Sequence, residues 1–160
     1  MIFMSTSDWF TLADIIITAA VGIWIATTIQ NNFAKTRALK DYFISELTVL
    51  QSDYRDFVSK IWNSELDAKS IKDTFKVLSA RIDTLNDLMH KTFKIKNTII
   101  KDAHVKFQQE LTGVEELGEQ YNECSVTLLN TTKTMLMPLH NKIIEAITER
   151  VIDINKSKLK

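Results

Sequence analysis

Three histidines, His90, His104 and His140, stand singly and far apart in this chain. Only His90 has a suggestive neighbour. Asp87 precedes it by three residues, so on a helix the carboxylate and the imidazole share a face. A helical di-iron site needs two Glu-x-x-His pairs and two further inward carboxylates, of which only a fragment is present. No His-Glu-x-x-His motif and no paired cysteines supply the standard spacing for zinc. Cys124, the single cysteine, has no basic neighbour to lower its pKa and reads as a buried or idle thiol. A glycine-rich phosphate loop is missing too. The expectation is no enzyme, no metal and no cofactor.

Recognition is better represented. Glu115, Glu116, Glu119 and Glu123 form an acidic stretch that suits docking to a basic partner, or else a solvated helix face. Trp62 sits beside a turn. There it either packs over the end of a bundle or anchors an interaction, because tryptophan is enriched at binding hot spots. Lys+Arg and Asp+Glu both total 20, so no net charge draws the chain toward nucleic acid.

The elements that must position these residues are helical. Three Gly and one Pro are too few to punctuate a strand-and-turn fold. Apolar residues recur in steps of three and four, which puts one stripe on each helix. The stripes are Leu39, Phe43, Leu47, Leu50, Tyr54, Phe57 and Ile61; Ile71, Phe75, Leu78, Ile82, Leu85, Met89 and Phe93; Ile100, His104, Phe107, Leu111, Val114, Leu117, Tyr121 and Leu128; and Leu136, Leu139, Ile143, Ile147, Val151 and Ile154. Polar clusters at Asn63–Glu65, Lys94–Asn97 and Asn130–Thr134 break the pattern. Ser64 is placed to cap the second helix with Asp67 completing a capping-box-like pattern, and Pro138 suits a first helical turn. Helices over 33–62, 65–93, 98–128 and 133–156 follow. Short links make neighbours antiparallel, which predicts an up-down-up-down four-helix bundle. The same spacing also suits a coiled coil of several copies.

Ahead of this lies an apolar run. Trp9 to Ile29 is 21 residues with one charge, Asp14. At about 1.5 Å per residue such a helix spans about 30 Å, the thickness of a hydrocarbon core. There is neither a basic leader nor a small-residue cleavage site, so the run reads as an anchor rather than a signal peptide. Lys35, Arg37 and Lys40 follow it and no Lys or Arg precedes it. The positive-inside rule then predicts a single-pass protein of the inner membrane. Residues 1–8 are placed outside, 9–30 across, and 31–160 in the cytoplasm as the bundle. Nothing between Ile29 and Leu39 breaks a helix, so the membrane helix is expected to continue into the first bundle helix.

Asp14, Thr18, Gly22 and Ala26 recur every fourth residue and share one stripe of the span. Small residues at that spacing let helices approach closely, and a carboxylate facing lipid is costly. The stripe is a seam between copies, the lining of a polar path, or simply a place where Asp14 reaches the interface. In the closed bundle, three basic clusters come to the membrane side: Lys35, Arg37 and Lys40; Lys91, Lys94, Lys96 and Lys101; and Lys156, Lys158 and Lys160, with Asp41 the only acid close by. Anionic headgroups attract such residues by about 1 kcal/mol each. The opposite end collects acids, among them Asp53, Asp56, Glu65, Asp67 and Glu110.

The resulting expectation is a membrane-anchored, non-enzymatic, self-associating module that docks a cytoplasmic protein. The alternative is an oligomeric channel or pore-forming effector, for example in bacterial defence, with the Asp14 stripe lining the path.

Overall fold

The computed structural model describes the backbone of residues 6–96, 98–121 and 124–157, with side chains from residue 21 onward other than those at 25, 26, 29, 32 and 33. Within it the chain is all-helical. The helices are α1 Thr6–Trp62, α2 Ala68–Phe93, α3 Ile99–Thr112, α4 Glu115–Glu119 and α5 Asn130–Lys156. The chain divides into two compact units, Met1–Leu39 and Lys40–Lys160.

The described part of the first unit is helical. Val21, Ile23 and Trp24 are exposed there, and the Thr27 hydroxyl donates back to the Ile23 carbonyl at 2.9 Å. Among the described residues no helix is long and apolar enough to cross a membrane. The side chains of residues 9–20, more than half of the expected span, lie outside the described residues.

The second unit is a bundle whose packing follows the sequence stripes. Asp67 starts α2 by accepting a hydrogen bond from the Ser70 amide at 2.6 Å, which satisfies one of the orphan donors of a first helical turn. Every residue of the second stripe, Ile71 to Phe93, is buried. Ring contacts set the direction of its neighbours. Phe43 meets Phe93 and Phe57 meets Phe75, so α2 runs antiparallel to α1. Phe75 meets Phe107, and Lys101 pairs with Asp83, so α3 returns antiparallel to α2. The Lys133 ammonium donates to the Trp62 carbonyl and the Lys40 ammonium to that of Asn155, both at 2.8 Å. Helix α5 therefore descends beside α1. Burying each such large apolar side chain contributes about 1.5–3 kcal/mol before entropy is counted.

Three expected details differ. Ser64 does not cap α2: it adopts a left-handed conformation, φ 58°, inside the turn, and Asp67 caps alone. Pro138 lies well inside α5, which begins at Asn130 rather than 133. The largest difference is the third helix, expected to reach 128. Helix α3 ends at Thr112, with Gly113 as its cap. The Gly113 amide still reaches the Gln109 carbonyl at 3.0 Å, but a Cβ there would lie only 3.1 Å from the same oxygen. Val114 then turns extended, with φ −71° and ψ 144°. The connection to α5 folds over the bundle end. Val126 and Leu128 are buried, and the Val126 amide donates to Leu66 at 2.9 Å.

Candidate functional site

Past the early end of α3, that helix, α4 and the first turns of α5 border an open space. A cleft of about 470 Å³ remains, lined by Gln109, Glu110, Gly113, Val114, Glu115, Glu116, Glu119, Leu129, Thr132 and Met135. Leu129 is 63 % exposed and Met135 is 50 % exposed. Among the described residues no lysine or arginine lines the cleft.

Its glutamates have different tasks. Glu116 accepts from the Thr132 hydroxyl at 2.6 Å and from the Leu129 amide at 3.3 Å. Leu129 is the N-cap position of α5 and has no capping side chain of its own, so Glu116 caps α5 from a distance. The Thr132 hydroxyl holds the Glu116 carboxyl below the usual carboxylate range. Glu116, expected to dock a partner, is thus engaged in the fold. Glu110, Glu115 and Glu119 line the cleft, and no ion pair of theirs is found among the described residues. Glu123 lies outside the described residues.

Trp62 is at the same end of the second unit but in another cleft. It lines a space of about 520 Å³ with Asn130, Lys133, Thr134, Met137, Pro138 and Asn141. The side chain is half-buried against the core. Trp62 and the glutamates thus line separate clefts that both border the first turns of α5.

At the opposite end of the second unit, the α1 turn that holds Lys40, the α2 end and connection with Lys91, Lys94 and Lys96, and the α5 end with Lys156 come together, as Phe43–Phe93 and Lys40–Asn155 contacts show. Lys101, by contrast, is paired with Asp83 at 2.8 Å, which raises its pKa through that hydrogen bond. Asp83 and Lys101 make this end less uniformly basic than expected, so Asp41 is not the only acid close by. Lys35 and Arg37 are exposed in the first unit. Lys158 and Lys160 lie outside the described residues, as do the side chains of Asp14, Thr18 and Ala26. Gly22 is described, and a Cβ added to it would meet nothing within 4 Å.

One polar constellation escaped the sequence reading. The Tyr54 hydroxyl contacts His104 Nδ1, and His104 Nε2 lies 2.6 Å from the Ser79 hydroxyl. Ser79 Oγ donates to the Phe75 carbonyl at 2.8 Å. A hydroxyl has one proton and a carbonyl only accepts. Ser79 therefore receives from Nε2–H, which leaves Nδ1 to accept from Tyr54. Every donor in the chain of bonds is used. Burial pushes His104 down to about 4, slightly opposed by Asp83, and pushes the Tyr54 hydroxyl up. A hydroxyl–imidazole–hydroxyl array resembles nucleophilic machinery. Here Tyr54 is 0 % and His104 1 % exposed, and the Ser79 proton is already committed, so the array braces α1, α2 and α3.

The remaining chemical candidates are isolated. Asp87 and His90 line a 260 Å³ hollow with Asn86, Ile95, Lys96 and Thr98. Cys124 is exposed rather than buried, because the stretch expected as helix is an open connection there. Among the described residues no group of three or more His, Cys, Asp or Glu is placed to hold a metal ion. Comparison with known protein families, curated proteins and solved structures finds no match to this chain.

Proposed function

We propose that this chain is a membrane-tethered, non-enzymatic interaction module that self-associates and docks a partner protein in the cytoplasm. The observation that carries the reading is the cleft beside α4, where large apolar residues are left uncovered under an acidic rim. Isolated exposed apolar residues are ordinary, but two of them, Leu129 and Met135, together in one concave site favour a binding role. Support for the tether comes from the 9–29 run and from Val21, Ile23 and Trp24, which are exposed. The basic flank Lys35, Arg37 and Lys40 favours the cytoplasmic placement and contact with anionic headgroups. Against catalysis stands the sealing of the Tyr54–His104–Ser79 array.

A photo-crosslinking amino acid placed at Met135 in the full chain tests the reading in the membranes of producing cells. The expected result is a discrete adduct from position 135 in the carbonate-resistant membrane fraction. The same probe at Val77, an exposed apolar site on α2, should give none. Identical adducts from both positions, or release of the protein by carbonate, would overturn it.

A further inference from the structure

We propose that the cleft between α3, α4 and the first turns of α5 takes a short cationic segment of a partner protein. One large apolar side chain of that segment sits on Val114, Leu129 and Met135, and its lysines or arginines face Glu110, Glu115 and Glu119. The proposal rests on the interaction-module reading and gives the partner its chemistry.

Shape and charge argue for this occupant together. The volume of about 470 Å³ lies in the range of about 300–1,000 Å³ that ligand clefts occupy. Its apolar part is Val114, Leu129 and Met135, and Leu129 and Met135 stay exposed although α3 and α4 border them. Methionine at such a surface adapts to varied apolar partners. Its rim carries three carboxylates outside every described ion pair, and no described cation lines it. An anionic ligand is repelled, which disfavours phosphate, nucleic acid and acidic lipid. A bare metal ion is disfavoured as well, since these carboxylates do not converge to a coordination geometry. A segment that is apolar at one position and cationic beside it satisfies both halves of the cleft. The hollow by Val77 makes the contrast: its acids Asp53 and Asp56 are already paired with Arg81 and Lys60.

The test uses the full chain in nanodiscs of zwitterionic lipid, empty discs as blank, and a short fluorescein-labelled peptide alternating lysine with leucine. The peptide is expected to bind the chain, and its twin with glutamate for lysine is not. Glu115→Lys with Glu119→Lys should weaken binding about tenfold or more. Leu129→Asp separates the groove from plain charge attraction. It adds a carboxylate at an N-cap position, where aspartate supports the helix. Charge alone would then bind the peptide more tightly, whereas a seated leucine requires weaker binding. Met135→Ser, at an exposed position, should weaken it likewise, and Val77→Ser should not; helical melts show that each variant folds. Tighter or unchanged binding to Leu129→Asp and Met135→Ser overturns the proposal. If a Met135 adduct forms in cells but the peptide neither binds nor competes with it, the cationic-segment proposal fails while the module reading stands. If neither adduct nor binding appears, both fail.

Discussion

At the scale of single residues, His104 shows how a polar group is kept in a core. The ring is buried and neutral, with a pKa about 4 against an ordinary 6.5, because burial penalises the imidazolium. The folded chain therefore holds off a proton that the unfolded chain takes up below about 6.5. Stability is intact above that pH and is lost progressively as the pH falls from about 6.5 to about 4. The loss across the window should be roughly 3 kcal/mol, at 1.36 kcal/mol per pH unit. His140, lowered by burial and by the charge of Arg55, adds to it in the same direction. Urea melts of the full chain at several pH values measure the slope. His104→Gln should flatten the curve across this window while lowering stability at neutral pH, since Tyr54 and Ser79 lose their shared partner. An unchanged slope would show that the ring is already protonated or solvated in the fold. Arg150 is the counter-example, fully buried on α5 and 3.8 Å from Asp153. Nothing in a single sequence distinguishes it from the solvated cations around it.

Among the elements, those with unbroken periodicity were legible. Helix α2 has seven apolar residues in steps of three and four, and all seven are buried. The third stripe misled because Val114, Leu117, Tyr121 and Leu128 continue the same steps beyond Gly113, so periodicity alone extends the helix. Burial is still satisfied for Leu117 and Leu128, by a short helix and an extended connection instead. What the period could not register is the backbone break at Gly113 and the remote cap that starts α5. That cap gives a prediction. Glu116→Ala should lower stability by about 1 kcal/mol, the ordinary cost of a lost N-cap. Thr132→Val added to it should cost little more, because the two side chains serve one interaction. Equilibrium denaturation followed by circular dichroism measures the cycle, and fully additive losses would mean that Glu116 and Thr132 act separately. Glu116 has a lowered pKa, so its contribution is present above the usual carboxylate range and disappears as pH falls through the folded value. The cleft was legible only in its glutamates; its other walls depend on an α3 end and a short α4 that periodicity does not mark.

For the whole molecule, the division at Leu39 and Lys40 separates two problems. The second unit contains the described core in full, from Phe43 to Ile154, so residues 40–160 should fold alone and melt cooperatively. A non-cooperative, weakly helical fragment would mean that the core depends on the first unit or on other copies. The first unit poses the question of assembly, and Gly22 is the useful residue. Among the described residues a Cβ at Gly22 meets nothing within 4 Å, so Gly22→Leu is expected to be accommodated within one chain. An assembly defect in Gly22→Leu is then expected to arise between copies, where a leucine holds helix backbones apart. Asp14 is expected to act differently. A carboxylate at the centre of a membrane helix costs about 2.5–3.5 kcal/mol on insertion scales, and less toward the interface. If Asp14 is only tolerated, Asp14→Leu should insert better and assemble as well as wild type. If copies surround a polar path, Asp14→Leu should keep assembly but abolish cation conductance, because the ring of carboxylates that attracts cations is gone. Crosslinking in membranes, read beside ion flux in liposomes, separates these outcomes. The tethered-module reading expects a crosslinked oligomer lost in Gly22→Leu, and no flux from wild type or Asp14→Leu. Flux from wild type that vanishes in Asp14→Leu would instead make the membrane segment the working part, with the bundle as its attachment. Wild-type crosslinking by both variants would leave the stripe without a role and place all recognition in the second unit.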